Sequence, residues 1–167
     1  MENQVIGLEI VTNTLTSVEK ALSLILKDIL LQPSHEEPLM NLFGRTLSKP
    51  IVSKINNPPD HVSSMDGYAI KNSDTKNETV KFSIIGKSLA GKKSNKKIKS
   101  GEAVRIFTGA ILPDGADRII LQEDIKLISN KDILVDIGKI EKNNFFVRNK
   151  GTDFRTNEIL VEEGEIL

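Results

Sequence analysis

The sequence predicts an α+β chain, mainly β, with two amphipathic helices at its start followed by a small β barrel or sandwich. Two observations carry that expectation. Apolar residues recur at helical spacing as far as Leu47, and beyond Pro50 the pattern changes to short alternating runs bounded by Gly, Asn, Asp or Pro. Composition agrees, since 38% hydrophobic and 28% charged residues are ordinary for a globular chain. Aromatics are only 4%, with no Trp, so aliphatic side chains must fill the core.

The first element starts at Thr16, which has capping-box spacing to Glu19. Val18, Leu22, Ile25 and Ile29, widened by Ala21, Leu26 and Leu30, predict a helix from Ser17 to about Leu31, stopped by Pro33. A second helix is expected from Glu37 to Leu47, with Pro38 in its first turn and Leu39, Leu42, Phe43 and Leu47 on its buried face. Strands follow around Val80, Phe82 and Ile84, around Val104 and Ile106, from Asp117 to Gln122, and around Ile133, Val135 and Ile137. Short apolar runs continue from Phe145 to Leu167. The biased segment Lys87, Lys92, Lys93, Lys96, Lys97 and Lys99 reads as a solvated hairpin tip that blunts an edge strand, with a phosphate-attracting patch as the alternative.

Charge and cysteine content exclude several functions. The 23 basic and 23 acidic residues cancel, so the basic excess of a nucleic-acid binder is absent. Without Cys there is no disulfide, thiolate metal site or Cys nucleophile, which fits a cytoplasmic location. Met1 to Thr14 do not read as a signal peptide, and no apolar run is long enough for a membrane span. The two histidines, His35 and His61, lack partners at metal-ligand spacing, so a zinc site is not expected.

Three segments carry candidate chemistry. Ser63-Ser64-Met65-Asp66-Gly67-Tyr68-Ala69-Ile70 is either a tight Asp-Gly turn before a strand or a carboxylate held on that turn beside two hydroxyls, able to bind Mg²⁺. In Gly101-Glu102-Ala103-Val104-Arg105-Ile106-Phe107-Thr108-Gly109-Ala110, alternation sets Val104, Ile106 and Thr108 on one face and Arg105 and Phe107 on the other. Thr108-Gly109 either ends a strand or approaches an anion with amides and a hydroxyl. Leu112-Pro113-Asp114-Gly115-Ala116 reads as a structural turn, and Glu123-Asp124 as a solvated strand end, with acids facing a metal as the alternative. Val147-Arg148-Asn149-Lys150-Gly151-Thr152-Asp153-Phe154 is a charged loop, or two cations and a carboxylate placed near phosphate and Mg²⁺.

In this order the three segments resemble the molybdopterin molybdenumtransferase family, that of MoeA and the gephyrin E domain. Pro58-Pro59 with Ser63 to Ala69 is similar to the family's P-P…S-A-M-D-G-Y-A motif, and Gly101 to Ala110 with Pro113, Gly115-Ala116-Asp117 and Gln122-Glu123 to its longest signature. Val147-Arg148…Gly151…Asp153 resembles V-R…G-E-D, with Thr152 where Glu is usual. The resemblance covers Thr16 to Leu167, that is, the N-terminal portion of such an enzyme.

What it implies is an enzyme that inserts molybdate into adenylyl-molybdopterin with release of AMP, in a Mg²⁺-dependent step. It implies catalytic roles for Asp66, Thr108 and Asp153, substrate contacts by Ser63, Ser64, Gly109 and Arg148, and Mg²⁺ at Asp66 and Asp153. It also implies a homodimer and an architecture. Residues 1–15 would be an extension, 16–55 and 145–167 a discontinuous first domain, and 56–144 an inserted β domain. A further α/β pterin-binding domain and a small C-terminal β domain are expected beyond this sequence; the α/β domain would complete the site, so this chain alone is expected to be inactive. Two other readings remain: a non-catalytic dimerisation or interaction module of that family, and a β domain that binds a phosphorylated ligand for another purpose.

Overall fold

The computed structural model describes residues 15–92 and 94–167; the expected extension therefore lies outside the described residues except for Leu15, as does Lys93. Contacts divide the chain into two units, residues 1–42 and 43–167. Among the described residues no helix is long and apolar enough to cross a membrane.

In the first unit, helix α1 spans Val18–Leu26, shorter than its periodicity predicts. Ser17, not Thr16, caps it, its Oγ accepting from the Lys20 amide at 3.3 Å. The apolar stripe is present but uncovered: Val18, Leu22, Ile25 and Leu26 are 51–78% exposed. A nine-residue helix with no apolar face packed is marginal, which accounts for its early end. The second helix is a correction. Leu39–Asn41 form one 3₁₀ turn, and Gly44, already in the second unit, has φ +76°, outside right-handed helical space.

The second unit is built on pairing between its two ends. Thr46 bridges Ile166, β1 (Ile51–Val52) pairs with β10 (Ile159–Val161), Asn57 bridges Phe154, and β2 (Val62–Ser63) pairs with β9 (Val147–Arg148), all antiparallel. Between them, β3 (Gly67–Ile70), β4 (Thr79–Ser88), β5 (Glu102–Ile106), β6 (Arg118–Leu121), β7 (Ile125–Ser129) and β8 (Asp132–Asp136) form one sheet. Its order is β6-β3-β5-β4-β8-β7. The expected barrel or sandwich is thus a single six-stranded sheet, with β6 and β7 at its edges.

Both faces of the sheet are covered at its centre, as period-two alternation requires. Tyr68, Ile70, Phe82, Ala103, Ile120, Ile133 and Val135 pack in one cluster, and Ala69, Val104, Ile106 and Ile119 in the other. This explains why Ile119-Ile120 are adjacent and both 1% exposed: one side chain serves each face. The lysine-rich run is not an edge hairpin. β4 lies between β5 and β8, and β4 and β5 are parallel, so residues 89–101 form a crossover. Ile98, 2% exposed, anchors it by packing in the second cluster while its amide donates to Asp114 O at 2.8 Å. The Pro113 to Ala116 turn closes with the Ala116 amide on Pro113 O at 3.1 Å.

Candidate active site

The segment from β2 to β3 is held from several sides. Ser63, 1% exposed, donates its hydroxyl to Met65 O at 2.6 Å, and Ser64 donates to Phe146 O at 2.8 Å. The Gln122 amide donates to Asp66 O at 3.2 Å, fixing the backbone where β3 begins. Gly67 then enters β3 against β6, where a Cβ would lie 2.0 Å from Ile120 O. Glycine is required there by close approach of two backbones, since Gly67 is not among the residues with positive φ.

This arrangement presents the Asp66 side chain to the loop after β5. Asp66 Oδ1 accepts two hydrogen bonds from Thr108, one from its amide and one from its hydroxyl, each 2.9 Å. The residues come from segments 42 positions apart, and the sheet joins them because Gly67 pairs with Ile106. The amide bond and then the hydroxyl bond of Thr108 hold the Asp66 carboxyl below its ordinary range against the opposing effect of desolvation, with a lesser contribution from the charge of Arg105. Arg105 braces the same loop: it donates to Gly67 O at 3.1 Å and to Gln122 Oε1 at 2.5 Å. Its guanidinium stacks on Tyr68 and Phe107, with centroids at 5.1 and 4.8 Å.

The amides expected to face an anion are donated within the chain. Thr108 N–H goes to Asp66, and Gly109, at φ +78°, donates to Ser63 O at 2.8 Å. Ser63, being buried, acts through the turn it closes. Asp153 belongs to a second group: Oδ1 takes an ion pair from Arg148, and Oδ2 accepts from Asn57 Nδ2 at 3.0 Å. Arg148 of this group lies on β9, where it pairs with Val62 of β2, and Asn57 is brought to Asp153 by its bridge to Phe154. Sequence reading missed Asn57, because a contact between residues 96 apart leaves no periodic signal.

The donor set bears on Mg²⁺, which takes one or two carboxylates and fills its octahedron with water and phosphate oxygens. Asp66 Oδ2 accepts no hydrogen bond within the described residues and fits that role, whereas both Asp153 oxygens are engaged. Among the described residues, no group of three or more His, Cys, Asp or Glu is arranged to hold a metal. A cavity of about 410 Å³ lies elsewhere, lined by Asp60, His61, Asp114, Asp117, Phe145 and Asn149 among others. Asp66, Thr108 and Asp153 do not line it.

A titration is expected to report the Asp66–Thr108 bonds. With its folded pKa depressed, Asp66 contributes stability that is present above its unfolded value near ~3.9 and lost as pH falls through the folded value. An NMR carboxyl titration should therefore give Asp66 a midpoint below ~3.9. Thr108→Ala should raise it only part of the way, because the amide bond remains. A midpoint at or above the ordinary value in the unsubstituted chain would contradict the geometry.

The comparisons with known proteins converge on one family. The family description "MoeA N-terminal region (domain I and II)" matches residues 16–167. A molybdopterin molybdenumtransferase of Haemophilus influenzae is 36% identical over 126 residues, covering 75% of this chain and 30% of that protein. One from Staphylococcus aureus is 28% identical over 155 residues, covering 90% and 36%. A solved structure of the molybdopterin biosynthesis MoeA protein from Pyrococcus horikoshii superposes with a TM-score of 0.76 at 34% identity, covering 92% of this chain and 40% of that one. A second reaches 0.79 at 28% identity. The chain therefore spans about a third of the length of these two curated relatives.

Proposed function

Because this chain belongs to the MoeA N-terminal family, the region of domains I and II, we propose that it supplies one half of the active site of a molybdopterin molybdenumtransferase. In this reading the whole enzyme transfers molybdate into adenylyl-molybdopterin and releases AMP. The observation that carries it is the meeting of Asp66 and Thr108, at 2.9 Å, on a turn braced by Arg105.

Asp66 is the working carboxylate. It stays anionic at neutral pH, and its Oδ2 would hold hydrated Mg²⁺, which neutralises phosphate charge when bound. Thr108 fixes the carboxylate in one orientation, so that little rearrangement is needed when substrate binds. Arg148, held by Asp153 and 48% exposed at its side chain, offers a cation to a phosphate oxygen. An exposed ion pair of this kind adds at most about 1 kcal/mol to stability, so its value lies in aiming Arg148. Ser64 and Gly109 keep the rim of the turn in shape. An α/β domain holding the pterin completes the site.

The reading is tested by mixing this chain with the α/β portion of a relative and following AMP release from adenylyl-molybdopterin in the presence of molybdate and Mg²⁺. Release by the mixture, and by neither part alone, is expected. A mixture that binds but stays silent would favour the interaction-module reading instead.

Homodimerisation belongs to the same proposal. The uncovered stripe of α1, with Leu22 53% and Ile25 67% exposed, is a contiguous apolar surface that a second copy can cover. Sedimentation of the chain should show a dimer that Leu22→Glu with Ile25→Glu converts to monomer. An unaltered oligomeric state in that variant would remove the helix from the interface.

A further inference from the structure

Arg118, on β6 beside Ile70 of β3, is a charged side chain only 5% exposed. Burying a guanidinium costs free energy unless its donors are satisfied, and here they are satisfied incompletely. Nη1 donates to Asn72 Oδ1 at 2.9 Å, and Nη2 donates to the Glu141 carbonyl. The central carbon lies 4.9 Å from the centroid of the Phe145 ring. Nε is buried with no hydrogen-bond partner among the described residues. Apolar residues in place of buried charges are often at least as stabilising, so the contacts of Arg118 call for another reason.

Two of those contacts fall on residues 141–145, in the connection from β8 to β9, and a strained residue follows directly. Phe146 has φ +53°, a left-handed conformation that a bulky side chain adopts only where its surroundings impose it. The peptide before it is pinned at both its polar groups. The Phe146 amide donates to Asn144 Oδ1 at 2.9 Å, and Phe145 O accepts the Ile119 amide at 3.0 Å. The Phe146 carbonyl then accepts the Ser64 amide at 3.0 Å and the Ser64 hydroxyl at 2.8 Å. One oxygen of a strained residue thus holds two donors of the turn that carries Asp66.

We propose that Arg118 is a positioning residue for that turn: it clamps residues 141–145 against β6, so that Phe146 stays left-handed and its carbonyl meets Ser64. Each link in the route is a contact, from Arg118 to Glu141 O and the Phe145 ring, and from Phe146 O to Ser64. A guanidinium suits the task because its arms reach Asn72 and Glu141 while its flat face covers the ring; lysine would keep the charge and lose that geometry. Asp66 is then fixed from two directions, its Oδ1 by Thr108 and the backbone before it through Ser64. That turnover depends on the clamp rests on the function proposed above; that the clamp holds the turn does not.

The test follows amide hydrogen exchange of the 167-residue chain by NMR, with the buried Ala69 of β3 as reference. Arg118→Ala should speed exchange at Ser64 about tenfold or more relative to Ala69, the mark of local rather than global opening. Guanidinium ion, added far below denaturing concentrations against sodium chloride as control, should slow it again. Arg118→Lys should leave Ser64 as fast as Arg118→Ala does. The Asp66 carboxyl midpoint should rise in both variants, and because Lys keeps the charge, that rise reports geometry. If Arg118→Ala does not fold, Phe145→Leu removes only the stacked ring and should speed Ser64 exchange about threefold. Exchange that rises equally at Ser64 and Ala69, with the Asp66 midpoint unmoved, would reduce Arg118 to general stability and overturn the proposal. Silence in the AMP-release mixture would leave a positive result here standing, so the two ideas fail separately.

Discussion

Replacing Asp66 by Asn in a full-length enzyme that carries this region is expected to lower AMP release on the order of a hundredfold, as removal of one preorganised electrostatic group does elsewhere. The substitution isolates charge from shape. Asn keeps an Oδ1 that accepts both Thr108 bonds, now 2.9 Å each, so the loop geometry should survive. What disappears is the anion that the turn after β2 holds out beside Arg105. Thermal unfolding of the variant should fall only by the small part that the ionised carboxylate adds, with a cooperative transition kept, whereas turnover should collapse. Activity within about twofold of the parent, with an intact fold, would show that this carboxylate does no chemistry; that threshold is well inside the effect expected of such a group. Thr108→Ala should fall between the two, because the amide continues to hold Asp66 after the hydroxyl has gone.

The second large effect concerns the fold that delivers Asp66. Gly67→Ala is expected to cost about 3 kcal/mol or more, at the upper end for overpacked sites. The added Cβ would lie 2.0 Å from Ile120 O and 2.9 Å from Ile120 C. Those are backbone atoms, and β6 has no easy retreat. Ile119 and Ile120 are each 1% exposed and fill opposite core clusters, so moving the strand disturbs both. For a chain of this size the melting temperature should fall by roughly 10 °C. Gly91→Ala makes the control. It too is a glycine replacement, but at φ +77° with nothing within 4 Å, so only backbone strain of about 1–2 kcal/mol is expected. Near-equal losses for the two variants in urea denaturation would mean that β3 and β6 are not so closely apposed.

These results separate two kinds of information in the Asp66-Gly67 pair. From sequence, the glycine reads as a turn residue chosen for positive φ. In the fold it is a contact residue, needed because β6 passes against it. Both readings mark the same position, but only the second explains the cost of a methyl group. Thr108 is similar. Its neighbourhood reads as a possible anion loop, yet its amide and hydroxyl are spent on Asp66, and the Gly109 amide on Ser63. The Asp66–Thr108 pair thus becomes one preassembled unit, with the open oxygen on the carboxylate. The Asp153 group shows the opposite case, since Asn57 could not be singled out before its contact was seen.

By itself the sequence determined which segments alternate, where the cap of α1 lies to within one residue, and which family motifs the chain carries. Those properties are local: a period of two or 3.6 residues, or a string of adjacent side chains, is written in neighbouring positions. Tertiary structure alone decided that the lysine-rich run lies in a crossover between the parallel strands β4 and β5, and the loss of the second helix. It alone decided the bonds joining Asp66 to Thr108 and Asn57 to Asp153 across 42 and 96 positions. The physical reason is that strand order and side-chain partners follow from how apolar faces are buried together and how the intervening chain closes, and no short window of residues contains those terms.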